Sequence, residues 1–145
     1  MKRFRFRLER VLRFRTTEKE QALSVLMEER SLLNQYNAEV EALQESKRLG
    51  EIAEGTVFPS AFIQSIGMFE SGVKIRLDEL AKQIEAQELV VQKAEQEYLF
   101  RLREAEVLVN LKQRSLEEYR KEQLAEEGRE LDEFAVTRRA RATRI

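Results

Sequence analysis

An apolar stripe that returns about every 3.5 residues is the feature that most restricts how this chain can fold. Steps of four and three residues from Leu8 to Leu43 reach eleven positions, and eight of them are apolar. The eleven positions are Leu8, Leu12, Arg15, Lys19, Ala22, Leu26, Glu29, Leu33, Tyr36, Val40 and Leu43. A helix with this repeat buries its stripe against a second helix, and the pair winds into a left-handed supercoil. The stripe therefore predicts a coiled-coil helix from about residue 5 to about residue 48.

The repeat stops at residues 50–60, GEIAEGTVFPS, where Gly50, Gly55 and the only proline, Pro59, lie close together. Such a cluster favours a turn, which is predicted at 50–59. Proline is tolerated in the first turn of a helix because the N–H that it lacks would have no partner there. A second helix is therefore predicted from about residue 60 to about residue 127.

The second helix carries its own apolar stripe. Its positions are Phe62, Ile66, Phe69, Val73, Leu77, Leu80, Ile84, Val91, Ala94, Tyr98, Ala105 and Leu108. The steps from Phe69 through Val73 to Leu77 are four and four, a stutter that locally unwinds a supercoil. Because Gly67 and Gly72 lie beside the stutter, a bend or fraying is predicted there. Beyond Leu108 the pattern weakens, and residues 129–141 either prolong the helix or form a short separate one.

Helices of these lengths would measure about 65 Å and about 100 Å, so they cannot match end to end. The predicted fold is all-α: an antiparallel two-helix coiled-coil hairpin with a longer, overhanging second helix. It forms a single coiled-coil domain over residues 1–145, with a basic C-terminal segment at 128–145. Folding back at the turn would place residues 1–8 beside about 100–110 and both termini at one pole.

Positive charge is concentrated at the two ends of the chain. Residues 2–15 carry a net charge of +6, residues 137–145 carry +4, and residues 16–136 carry −11. Phe4, Phe6 and Phe14 between arginines fit nucleic-acid binding, in which rings stack on bases. However, the acidic body would repel a polyanion, so a protein partner with an acidic or mixed-charge socket is favoured and no nucleic-acid partner is predicted. A nucleic-acid-binding coiled coil and a homodimeric scaffold remain alternatives.

Composition excludes several classes of chemistry. The chain has no cysteine and no histidine, which removes disulfides, zinc–thiolate sites, a thiol nucleophile and an imidazole base. The spacing in GEIAEGT lacks the lysine of a phosphate loop, and Glu51 and Glu54 would repel phosphate. The row Glu118, Glu122 and Glu126 could hold a cation but is typical of a solvated helix face. No enzyme and no catalytic, cofactor or metal site is predicted.

No apolar run approaches the roughly 20 residues that span a bilayer, so direct membrane insertion is not predicted. The basic start lacks the apolar core of a signal peptide, and a mitochondrial presequence is the alternative interpretation of its arginines.

Two motifs stand near the ends of the sequence: F-x-F-R-L-E-x-V-L-x-x-R from Phe4 to Arg15 and L-D-E-F-A-x-x-R from Leu131 to Arg138. Both resemble motifs of the FliJ family. The resemblance implies a coiled-coil stalk of the flagellar export apparatus, similar to the γ stalk of rotary ATPases. It also implies a cytoplasmic location, peripheral to the inner membrane at the flagellar base. The implied partners are the export ATPase FliI, whose hexameric ring receives the end with both termini, and the export gate protein FlhA. Export chaperones are further candidate partners.

The resemblance also implies two sets of site residues. The ATPase-binding set is Arg3, Arg5, Arg7, Phe134, Arg138, Arg139 and Arg141. The gate-binding set, matched through FIQS at 62–65 and the tyrosine of LLNQY, is Leu33, Tyr36, Val40, Phe62, Ile66, Phe69 and Val73. Val40 stands where the family has an aromatic residue, and Gly67 and Gly72 also depart from the family pattern. Because the gate set lies on the stripes, a core role is the alternative for each member. The equivalent stalk of a virulence type III secretion system is an alternative identity.

Overall fold

Two long α-helices make up the chain. A computed structural model describes residues 2–54 and 59–144, with α1 at Glu9–Glu54 and α2 at Ser60–Thr143. The described residues include no strand. The predicted all-α hairpin with a longer second helix is therefore confirmed.

Ion pairs between the helices run in opposite order along the two elements. Arg15 on α1 contacts Glu104 on α2, Arg30 contacts Glu95, and Glu39 contacts Arg76. Residue numbers that rise along α1 thus pair with numbers that fall along α2. This order makes the two helices antiparallel.

The positions of each helix that face the other helix form a seam, and burial along α1 follows the predicted repeat. All eleven stripe positions from Leu8 to Leu43 are buried or half-buried. Leu26 and, on α2, Leu80 are the most enclosed, with exposed fractions of 2% and 0%. A period of 3.5 residues therefore decides which side chains of α1 are removed from water.

The predicted stutter in α2 is wrong. The seam runs through Ile66, Glu70, Val73 and Leu77, in steps of four, three and four, whereas Phe69 lies outside it with 51% of its surface exposed. The carboxylate of Glu70 lies 3.8 Å from where a Cβ on Gly50 would stand, so Glu70 faces α1 at this position. Helix α2 continues without a break through residues 67–72.

Both helices extend beyond their predicted C-terminal ends. α1 begins at Glu9 rather than near residue 5 and continues to Glu54, so residues 50–54 of the predicted turn are helical. Residues 55–58 of that turn lie outside the described residues. α2 continues past 127 to Thr143, which includes Gly128. A glycine costs about 1 kcal/mol relative to alanine inside a helix, too little to end a helix that good helix formers flank.

The predicted placement of residues 1–8 beside about 100–110 is also wrong. Glu9 forms an ion pair of 2.9 Å with Lys112, and Lys2 lies against Tyr119. Because α1 ends later than predicted, its residues pair with later positions on α2.

The chain divides into two compact units. Unit 1 comprises Met1–Thr17 and Arg101–Ile145, and unit 2 comprises Glu18–Phe100. The assignment of residues 1–145 to one domain stays a prediction.

Candidate functional site

The described N-terminal residues of unit 1 form a short non-helical segment that packs against α2. We call residues 2–8 the N-terminal strap. The hydroxyl of Tyr119 donates a hydrogen bond to the backbone carbonyl of Lys2, and the ring of Phe4 lies 5.4 Å from the Tyr119 ring. At the other end, the N–H of Glu9 donates to the carbonyl of Phe6 where α1 begins. Contacts at both ends thus connect the strap to the helices.

Exposure alternates along this segment. Phe4, Phe6 and Leu8 are half-buried, whereas the arginines between them are exposed. A period of two is that of extended backbone and not of a helix. The pattern F-x-F-x-L could have revealed the strap, but Phe4 and Leu8 also fit helical spacing, which favours an earlier start of α1. Because Phe4 packs against Tyr119, this geometry does not favour base stacking by its ring.

The basic residues of the N-terminal region fall into two groups. Arg15 forms an ion pair of 3.0 Å with Glu104, so this cation serves to join the helices. Arg3, Arg5 and Arg7 make no ion pair within residues 2–54 and 59–144 and remain exposed. Lys2, Arg10 and Arg13 are exposed as well, whereas Arg15 is half-buried, so the exposed cations are the ones available to a partner.

The acidic row predicted as a solvated face lines a groove beside the strap. Glu118, Glu122 and Glu126 are exposed, and Lys2, Arg3 and Arg5 line the same groove. The row therefore places negative charge where the strap brings positive charge.

The C-terminal part of α2 is fully exposed. Every described residue after Gln123 is exposed, including the predicted site residues Phe134, Arg138, Arg139 and Arg141. Leu124, Leu131 and Phe134 share one face of the helix by their spacing, with exposed fractions of 68%, 69% and 67%. This face provides apolar area just before the arginines.

The seven predicted gate-binding residues, all in unit 2, do not form one surface. Val73 is buried at 5%, and Leu33, Tyr36, Val40 and Ile66 are half-buried in the seam. Only Phe62 and Phe69 are exposed, at 47% and 51%.

The structure also separates the α1 members of this set from the exposed rings. Val40 lines a groove with Leu77 and Ile84, which lie farther along α2 than Phe62 and Phe69. Contact between Tyr36 and Phe69 is therefore not expected.

Five other apolar residues, toward the end of α1 and the start of α2, are also exposed. They are Leu49, Ile52, Ile63, Met68 and Ile75. Sequence reasoning missed them, although residues 55–69 contain no charged residue in a chain that is 37% charged. Together with Phe62 and Phe69 they are called the apolar surface of unit 2.

Two polar contacts fix the pairing of the helices in unit 2. The Arg76 guanidinium donates to both carboxylate oxygens of Glu39, at 2.8 and 3.1 Å, and also to Glu79. The hydrogen bonding between Arg76 and Glu39 holds the pKa of Glu39 below its usual range and raises the pKa of Arg76. Gln87, only 8% exposed, donates to the backbone carbonyl of Glu29 at 3.0 Å and to its carboxylate.

Within the described residues, no group of three or more acidic, histidine or cysteine side chains is arranged to hold a metal ion. Neither helix, over its described residues, is both long and apolar enough to cross a membrane.

The antiparallel helices, their heptad seam and their exposed surfaces define a coiled-coil hairpin protein with candidate binding surfaces. A family model described as "Flagellar FliJ protein" matches residues 4–144. The chain therefore belongs to the FliJ family, which implies a component of the flagellar export apparatus. The match includes both terminal motifs and confirms the resemblance. Searches of curated proteins and of solved structures gave no match.

Proposed function

We propose that the chain is the non-enzymatic stalk that couples the export ATPase ring to the export gate. The observation that carries this proposal is the chemical contrast between the two units. Unit 1 contains both basic segments, and unit 2 contains the exposed apolar residues and a sequence stretch without charge. Two different surfaces on two units suit two different partners.

The ATPase FliI would bind the exposed cations of unit 1. The arginines at 3, 5 and 7 and at 138, 139 and 141 make no ion pair within the described parts of the chain. An acidic socket would attract them at long range and fix the orientation of the complex. Phe134 adds the exposed aromatic area that often anchors an interface.

The gate protein FlhA would bind the apolar surface of unit 2. Phe62 and Phe69 are the aromatic members of this surface, and aromatic residues commonly dominate binding energy. The half-buried residues Leu33, Tyr36 and Val40 would act indirectly, by pairing the helices. Cytoplasmic placement at the inner face of the flagellar base follows from these two partners, and export chaperones are further candidates.

Reciprocal variants test this proposal. We expect the R138E/R139E/R141E variant to weaken ATPase binding about tenfold or more, because attraction becomes repulsion, and to leave gate binding intact. We expect Phe62→Ala to weaken gate binding about 30-fold, the loss of about 2 kcal/mol at an anchor residue, and to leave ATPase stimulation intact. Affinities for purified ATPase and gate domain, with helicity of each sample, give the readout.

Matched controls distinguish the effect of changing a proposed binding site from the effect of the same chemical change elsewhere in the chain. K74E/K82E/K93E makes the same charge change at exposed positions of unit 2, and Phe100→Ala removes a ring exposed to 52%. Neither should alter ATPase binding or gate binding. Equal loss of both activities in either test variant, with folding preserved, would reject the proposal.

A further inference from the structure

Tyr119 makes two different contacts with the N-terminal strap. Its hydroxyl binds the backbone of Lys2, and its ring packs near Phe4. Tyr119 itself is half-buried on α2 and belongs to a helix that is continuous on both sides. A side chain held in this way is a fixed point for the strap.

A strap of this composition would not stay in place without such a fixed point. Surface segments without helix or strand are more mobile than the elements beside them unless contacts hold them. Lys2, Arg3, Arg5 and Arg7 also repel one another, which favours a spread of conformations. The acidic row Glu118, Glu122 and Glu126 reduces this repulsion but, being exposed, does not select one conformation.

We infer that Tyr119 is a positioning residue that holds the strap and thereby presents Arg3, Arg5 and Arg7 as one ordered row to an acidic face of the ATPase ring. This inference rests on the proposed function. The inward positions of the alternating segment, Phe4 and Phe6, are used for packing, and the exposed positions between them carry the cations. Ordering the arginines before binding removes part of the entropy cost of association.

The first test measures strap position without any partner. Because the chain has no cysteine, one nitroxide label can be attached at Lys2 and a second at Glu130 of the same molecule. Glu130 lies about 16 Å along α2 from Tyr119. We expect a narrow distance distribution in the full-length parent and a broad one in Tyr119→Ala. Tyr119→Phe, which keeps the ring but not the hydroxyl, should give an intermediate width. A parent-like distribution in Tyr119→Ala would overturn the inference.

Tyr98→Ala is the matched control. Tyr98 is also half-buried on α2, but it belongs to unit 2, whereas the strap and Tyr119 belong to unit 1. The strap distance should remain narrow in this variant. Broadening equal to that of Tyr119→Ala would mean that general loosening of the helices, and not the anchor, orders the strap.

The second test asks whether Tyr119 acts through the arginines. Affinity for the purified ATPase is measured for Tyr119→Ala in the parent and in an R3Q/R5Q/R7Q background. In the parent, we expect Tyr119→Ala to lower the affinity on the order of tenfold. In the R3Q/R5Q/R7Q background, we expect Tyr119→Ala to cause no further loss of affinity. Equal losses in both backgrounds would overturn the positioning role.

The combined results distinguish failure of the inference from failure of the proposed function. If R138E/R139E/R141E loses ATPase binding while Tyr119→Ala keeps a parent-like strap distance, the inference fails and the proposed function stands. If neither arginine variant affects ATPase binding, the proposed function fails, and the presentation role of the strap fails with it.

Discussion

At the scale of single residues, charge has a different role according to its partner. The guanidinium of Arg76 donates hydrogen bonds to both carboxylate oxygens of Glu39, whereas Arg3 and Arg138 have no ionic partner in the described chain. The first arginine helps to pair helices, and the other two are available for binding. Counting charge along the sequence could not separate these roles, because each depends on which residue lies opposite across the hairpin.

The Glu39–Arg76 pair gives a pH-dependent prediction. Arg76 lowers the pKa of Glu39 from an ordinary value near 4.5. The pair therefore stabilises the folded state above that value, and its contribution is lost as pH falls through the lowered pKa. We expect Arg76→Gln to return the Glu39 pKa toward 4.5, measured by NMR titration of the side-chain carboxyl.

The effect on stability should be small, because both side chains are substantially exposed and solvent screens them. Melting temperatures of parent and Arg76→Gln should differ at neutral pH and converge in acid. A difference that grows as pH falls would contradict this assignment. Arg48→Gln, which removes an exposed ion pair within α1, is the control.

At the scale of elements, the sequence predicted the heptad repeat of α1 correctly but did not predict the helix ends. The seam of α1 follows from local spacing alone, so every predicted position is at least half-buried. Glycines at 50 and 128 suggested ends, but the flanking sequence carries the helices through them. The strap was missed because Phe4 and Leu8 fit both a period of two and helical spacing, and only packing against Tyr119 decides between them.

The site was readable to a smaller extent. The predicted arginines are exposed, and so are Phe62 and Phe69, but Tyr36 and Val40 belong to the seam. An apolar residue on a stripe is compatible with packing or binding until the partner helix is placed. Glu70 illustrates the limit, since a charged residue occupies the seam position that the apolar pattern assigns to Phe69.

The Gln87–Glu29 contact predicts how the two helices keep their register. A polar residue at one seam position specifies alignment at some cost in stability. We expect Gln87→Leu to keep or raise the melting temperature while broadening the distance between labels at the exposed positions Glu28 and Glu88. Gln123→Leu, at a half-buried position of unit 1, should leave that distance unchanged. A single narrow distance in Gln87→Leu would show that the apolar residues of the seam, and not the Gln87–Glu29 contact, keep the helices in register.

At the scale of the whole molecule, a net charge of −1 conceals strong segregation. The segments of +6 and +4 belong to one unit, so an acidic partner would meet a field that the total charge does not reveal. Such fields increase association rates and weaken with added salt.

Truncation after Gln123 tests how this segregation relates to stability. Every described residue beyond Gln123 is exposed, so removing them should leave the melting temperature of the paired helices nearly unchanged. Helical content should fall, because part of α2 is lost. ATPase binding should fall strongly, since the truncation removes Phe134 and the three predicted binding arginines Arg138, Arg139 and Arg141. A large drop in melting temperature would show that this segment packs on the rest of the chain.

The exposed end of α2 also acts as a ruler. Arg139 follows Tyr119, which fixes the strap, by about 30 Å of unbroken helix. The arginines of the strap and those near the end of α2 therefore lie at two different positions along the axis of α2. A partner that binds both sets must present two groups of acidic residues separated by about that distance. Inserting or deleting helical turns of α2 between Tyr119 and Arg138 would move one set of arginines away from its acidic group without altering any contact residue.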